Sequence, residues 1–238
     1  MMERIAESTP GPGARLIGLI YLLYFVTTIS GELFIRGMIL PDNAATTVSN
    51  LLAHEPLFRL SMAIGLIGTA LYISVTILFY GLFRPVNKTV ALLAASISLV
   101  GCAVQACGSL FRVAPFVILD GSPYLSAFKP EQLQAAALTL IKLNVQSAYI
   151  YLVFFGIFNS LIGYLILKST FLPGILGLFM VLSGVGWLTF LSPPLAHHVL
   201  PLIEVVGVLA EAALMLWLLV KGVNVERWKE QANEAVLS

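Results

Sequence analysis

The sequence predicts an all-α polytopic membrane protein, a six-helix transmembrane bundle with two longer extracytoplasmic connections. Composition is the first reason. Of the residues, 59% are hydrophobic and 11% charged, with a mean hydropathy of +0.95, against roughly half apolar and a quarter charged in soluble domains. The second reason is a set of six apolar runs, at 16–35, 60–83, 89–110, 148–167, 174–191 and 201–220. Each is close to the ~20 residues a helix needs to cross a bilayer. None alternates polar and apolar residues as barrel strands do, so each is read as a helix.

The elements follow in order. Segment 1–14 is polar and holds Pro10, Gly11, Pro12 and Gly13, which suits a tail rather than the n-region of a signal peptide; the first apolar run then stays as a span. In the connection 36–59, Pro41-Asp42-Asn43 signals a turn and a helix start, and a helix-compatible stretch runs to His54 and is stopped by Pro56. In the connection 111–147, Asp120-Gly121-Ser122-Pro123 reads as a turn and Pro130-Glu131-Gln132 as a first helical turn with proline at N1. From there a helix continues through Lys142 into the fourth span, and the two connections roof the outer side of the bundle. The tail 221–238 alternates in charge around Trp228, which suits either a short helix at the headgroup boundary or a solvated tail. No internal repeat is evident, so 1–238 is read as a single integral membrane domain with tails at 1–14 and 221–238.

Lysine and arginine orient the chain. Arg4, Arg15, Arg84, Lys88, Lys168, Lys221, Arg227 and Lys229 lie on one side, against Arg36, Arg59, Arg112, Lys129 and Lys142 on the other. The richer side is expected to be cytoplasmic, with both termini.

Several chemistries are excluded by absent residues. A net charge of +1, with no basic stripe among aromatics, argues against nucleic acid. A retinal Schiff base needs a mid-membrane lysine, and Lys142, Lys168 and Lys221 lie at or beyond span ends. Bis-histidine haem needs buried histidines, whereas His54, His197 and His198 fall in connections. Neither a His-Glu-x-x-His motif nor a Gly-x-Ser-Gly turn occurs, so no catalytic residue and no cofactor is expected. Cys102 and Cys107 point about 140° apart on one helix and cannot bridge each other; they read as buried, inert thiols. His54, His197 and His198 share one face of the membrane and, with Glu55, Asp42 or Glu204, are weak zinc-ligand candidates. Surface or structural histidines are the simpler reading.

At about 1.5 Å per residue, Glu32, Arg36, Arg59, Arg112 and Glu204 fall at one outer level. They form either mutually neutralising pairs that fix helix packing or a vestibule whose arginines bind an anionic group. Glu204, in the first turn after Pro201, is also favoured by the helix dipole. Glu211 lies about 15 Å deep, where no basic residue reaches, among Thr28, Thr69, Ser98, Asn159 and Ser183. A carboxyl group in such surroundings is expected to be neutral. It donates a hydrogen bond to Asn159 and locks the bundle, or carries a proton or cation through a transport cycle, or, as the least favoured reading, takes part in catalysis. Gly156 and Gly163, with Ser160, and Gly177 and Gly184 give small-residue faces that read as helix-contact seams, into which Asn159 points.

Tyr24-Phe25, Gly31-Glu32, Arg36, Asn50, Glu55 and Phe58-Arg59, the run from Leu82 to Asn87, Phe154-Phe155-Gly156, Gly163-Tyr164-Leu165, Lys168-Ser169 and the close from Glu211 through Trp217-Leu218 to Lys221-Gly222 together resemble an uncharacterised bacterial integral membrane family, domain of unknown function 4386. The resemblance covers nearly the whole chain. It implies a multi-pass protein of the bacterial cytoplasmic (inner) membrane and no assigned activity. Two functions stay open. One is a small-solute or proton-coupled carrier or binding protein, taking a small-molecule or lipid ligand at Glu32, Arg36, Arg59, Arg112, Asn159, Glu204 and Glu211. The other is a non-catalytic membrane sensor or partner subunit whose buried charges are structural.

Overall fold

The computed structural model describes residues 10–237, and no strand occurs among them. Eight α-helices follow in order: α1 (Pro10–Ile35), α2 (Ala44–Ala53), α3 (Glu55–Phe83), α4 (Lys88–Ile118), α5 (Pro130–Lys168), α6 (Gly174–Leu188), α7 (Pro193–Val220) and α8 (Val225–Leu237), with 3-10 turns at Pro123–Ala127 and Thr189–Leu191. Six of the helices are long and apolar enough to cross a membrane. The protein is therefore a multi-pass membrane protein embedded in lipid.

Helix ends follow local chemistry. Asn43 caps α2, its Oδ1 accepting from the Thr46 amide at 2.9 Å, as a short polar side chain at N-cap does. Pro56 is a correction: it does not stop a helix but sits in the first turn of α3, which begins at Glu55, a position where proline's missing N–H costs nothing. Arg59 is consequently inside α3 rather than before it, and Arg112 is inside α4, which runs on to Ile118. The turn at 120–123 forms as expected, with Gly121 at φ +74° and the Ser122 amide donating to Asp120 Oδ1 at 2.8 Å. Pro130 opens α5, where Gln132 Oε1 accepts from the Lys129 amide at 2.9 Å, half of a capping box. The helix continues unbroken through Lys142 to Lys168.

Two starting points differ from the sequence expectation. Residues 1–9 of the expected N-terminal tail lie outside the described residues, and 10–14 already belong to α1. Helix α7 begins at Pro193, and Pro201 lies within it; Glu204 is about three turns in, beyond the reach of the helix-terminus dipole.

The chain divides into two compact units. The larger comprises 10–23, 71–102 and 150–237. Its core is aromatic, with Tyr21, Phe79, Phe83 and Phe158 almost wholly buried and Tyr21 packed edge-on against both Tyr72 and Phe79. Glycine seams bring its helices together. A Cβ on Gly163 would lie 2.7 Å from the Gly177 carbonyl oxygen and one on Gly156 2.8 Å from that of Gly184, so each step of seven along α5 is matched by seven in the opposite sense along α6. These are the seams the sequence predicts. A Cβ on Gly18 of α1 would likewise lie 2.7 Å from Leu219 Cα of α7.

The larger unit also holds α8, the helical alternative for the C-terminal tail. Asn224 Oδ1 caps it by accepting from the Arg227 amide at 3.1 Å. The buried Trp228 indole donates to the Leu82 carbonyl at 2.9 Å, and Gln231 Oε1 accepts from the Thr170 amide at 3.1 Å.

The smaller unit comprises 24–70 and 103–149. Ile35, Leu51, Phe58, Phe116 and Ile141 form its core, and α2 is tied in by Asn50 Nδ2, which donates to the Met38 carbonyl at 3.0 Å. Asn144 Nδ2 reaches the Gly108 carbonyl at 2.9 Å, joining α5 to α4. The cysteines are both free. Cys102 is buried, whereas Cys107 is exposed, so the expected burial holds for the first alone.

Candidate functional site

The described charge buried deepest is Glu211. On α7 the positions 203, 207, 210, 211, 214, 215 and 218 are all buried, a stripe at helical spacing that faces protein, while 202, 205, 208, 209 and 216 are exposed as a lipid-facing surface. Glu211 lies within the buried stripe. Seven residues earlier, Glu204 shares nearly the same angular face yet is exposed.

Two helices reach the Glu211 carboxyl group of α7 directly, and a third is joined to it through Asn159. Tyr21 of α1 donates its hydroxyl to Oε2 at 2.9 Å, and Asn159 of α5 donates Nδ2 to Oε1 at 3.1 Å. The same Nδ2 reaches Ser183 Oγ of α6 at 3.3 Å. Exposure is 1% at Tyr21, 0% at Asn159, 1% at Ser183 and 5% at Glu211. Each carboxyl oxygen thus receives a hydrogen bond from a different helix. Asn159 Oδ1 is buried without a hydrogen-bond partner among the described residues.

The position of Asn159 follows from its neighbours. It lies between Gly156 and Gly163, whose missing side chains let α5 approach α6 to backbone contact, and this draws its amide to Ser183 and Glu211. The partnership with Glu211 matches the sequence expectation, but here the amide is the donor. A second buried polar contact, between Thr76 Oγ1 and Ser98 Oγ at 2.7 Å, joins α3 to α4 in the same unit. Trp187, another buried polar group, rests its indole edge against Gly207.

Tyr21 is the member that sequence reasoning misses. With a span starting at residue 16, it sits only ~8 Å into the membrane; with α1 starting at Pro10, it is ~17 Å along its helix, level with a mid-membrane partner. The available signal was Pro10 itself, a residue favoured in the first turn of a helix.

Of the five charged residues expected at one level, two pair with each other. Arg112 Nη2 meets Glu32 Oε1 at 3.0 Å, joining α4 to α1 within the smaller unit. Arg59 Nε meets Glu55 Oε1 at 2.6 Å one turn away, and its guanidinium lies 5.1 Å from the centre of the Phe116 ring. Arg36 is exposed in the turn after α1, where Gly37 takes φ +79°. Glu204 belongs to the larger unit, the other four to the smaller. Both His54 and His198 place Nδ1 against the backbone carbonyl four residues earlier, those of Asn50 at 3.1 Å and Pro194 at 2.7 Å; the side chain of His197 lies outside the described residues. Among the described residues, no group of three or more histidine, cysteine, aspartate or glutamate side chains is placed to hold a metal.

No curated protein and no solved structure matches the chain. A family model does match, over residues 16–222, described as domain of unknown function (DUF4386). The match takes in five of the membrane helices whole, α1 from Leu16 onward, and the Tyr21, Asn159, Ser183 and Glu211 cluster, and the chain belongs to the DUF4386 family.

Proposed function

We propose that this chain is a non-catalytic multi-pass membrane component, of the sensor or partner-subunit kind, in which Glu211 locks four helices together. The observation that carries the reading is the carboxyl group itself. Both oxygens are engaged, by Tyr21 and by Asn159, and the surrounding side chains are almost wholly buried. A buried polar group earns stability only when its hydrogen bonds are made, and this one has them. The pairing of Arg112 with Glu32 and of Arg59 with Glu55 supports the same conclusion, because guanidinium groups engaged by carboxylates offer less to an anionic ligand. The lysine and arginine asymmetry supports a topology with both termini cytoplasmic, and the resemblance to a bacterial membrane family supports the inner membrane.

The carrier reading has one observation in its favour. Asn159 Oδ1 is a buried acceptor without a hydrogen-bond partner among the described residues, as a site that takes up a small hydrogen-bond donor beside Glu211 would hold.

Reconstitution separates the two readings. Wild-type protein and Glu211→Gln are placed in vesicles carrying a pH gradient and an internal pH dye, and their thermal melts are recorded across pH. The lock predicts that both proteins dissipate the gradient no faster than protein-free vesicles, and that Gln, which keeps an acceptor for Tyr21 and can donate its amide to Asn159 Oδ1 once the Asn159 amide turns over, melts close to wild type. Wild-type flux that disappears in a normally folded Glu211→Gln protein establishes the carrier instead.

A further inference from the structure

We infer that the cavity beneath α8 at the 84–88 turn is a binding site for a phosphate-bearing ligand. Its volume is about 730 Å³, and Arg84, Lys88 and Lys229 line it together with Asn87, Asn233 and Trp228. This lies within the range of small-molecule and cofactor pockets. Three cationic side chains and two amides converge on it, and no carboxylate lines it among the described residues.

The distribution of charge on α8 is what makes the cavity selective. At about 100° per residue, Glu226, Glu230 and Glu234 fall roughly 160° to 240° round the helix from Trp228. The cavity-lining positions Lys229, Ala232, Asn233 and Ala235 fall between roughly −20° and +140° of Trp228, with Glu226 about 20° beyond Asn233. None of these three carboxylates lines the cavity, to which the helix lends a lysine and an amide. Trp228 holds that rotation, because its indole is buried and donates to the Leu82 carbonyl at 2.9 Å.

Location selects the chemistry. Residues 84–87 join two membrane helices, α3 ending at Phe83 and α4 starting at Lys88, so the cavity lies at the membrane–water boundary, where phospholipid headgroups are found. Its walls combine cations with the apolar Pro85, Val86 and Ala232, as a phosphodiester attached to a glycerol requires. Basic pockets beside membrane helices recognise anionic headgroups, and arginine and lysine bind phosphate by charge-assisted hydrogen bonds. The same chemistry admits a free phosphate, and the test distinguishes the two sources.

The probes are short-chain phosphatidylglycerol, short-chain phosphatidylcholine and inorganic phosphate, each titrated into the purified full-length protein in mild detergent, with the thermal midpoint as readout. Phosphatidylglycerol is expected to raise the midpoint with saturation, and phosphatidylcholine is not. Neutralising Arg84, Lys88 and Lys229 together, each to Gln, is expected to weaken apparent affinity by roughly fivefold per charge removed, whereas Lys129→Gln, outside the cavity, leaves it unchanged. If the triple variant does not fold, Lys229→Gln, exposed on α8, carries the test alone with the single-charge loss. Saturation by inorganic phosphate at equal affinity identifies a free phosphate as the ligand. Equal responses to the two lipids, or no loss in the cavity variants, overturn the proposal.

Discussion

The approach of α5 to α6 places the buried amide, and one added methyl group tests it. In Gly163→Ala the new Cβ lies 2.7 Å from the Gly177 carbonyl oxygen and from the Val181 amide nitrogen, where ordinary contact begins at 3.4 Å. Both obstacles are backbone, so no rotamer change relieves them and the helices must separate by about 0.7 Å at this point. The same displacement carried to Ser183 lengthens the Asn159 contact from 3.3 Å to about 4 Å, past hydrogen-bonding distance. Overpacking costs about 1–3 kcal/mol, and a lost hydrogen bond inside a membrane protein about 0.6 kcal/mol. At 2–4 °C per kcal/mol for a chain of this size, the melting midpoint falls by roughly 3–14 °C. The assay is a thermal melt in one detergent beside Gly65→Ala, whose Cβ meets nothing within 4 Å; that control should match or exceed wild type. Equal midpoints for the two variants refute the reasoning.

Three smaller perturbations probe other parts of the structure. Asn43→Ala removes the cap of α2 and should cost about 1 kcal/mol, read as a lower melting midpoint with faster amide exchange in 44–47. Trp228→Phe leaves the Leu82 carbonyl without its indole donor, a loss of about 1 kcal/mol, and should speed tryptic cleavage after Lys221 as α8 loosens. Hydrogen bonds from the Ser122 side chain and amide hold the Asp120 carboxyl below the usual carboxylate range. The turn it stabilises is therefore fully favoured above the ordinary aspartate value and is lost as pH falls through the lowered one. Ser122 amide exchange should rise only in that acid window, and Asp120→Asn should abolish the pH dependence.

The membrane helices were readable because a run of apolar residues has few alternatives to a span, and the seam because Gly156, Gly163, Gly177 and Gly184 recur at seven-residue intervals. Asn159 and Glu211 stood out as polar groups at shared depth in apolar runs. Tyr21 did not, since a tyrosine near a span end reads as an interfacial anchor until the helix is known to begin at Pro10. The Arg59 and Glu55 pair was present as an i, i+4 spacing, but placing the span start at Leu60 put both residues outside a helix. The docking of α8 had no sequence signature, because Trp228 binds a main-chain carbonyl 146 residues away, and a carbonyl is offered by every residue.

The most direct test of Glu211 as a lock is a double-mutant cycle of Tyr21→Phe and Glu211→Leu, read by reversible unfolding. Each variant removes one end of the 2.9 Å hydrogen bond, and the cycle isolates the pair from changes in packing. The lock predicts a stabilising coupling of about 0.6–1.7 kcal/mol, the range from average to strongest for hydrogen bonds between membrane helices. Strictly additive effects of the two substitutions would contradict it.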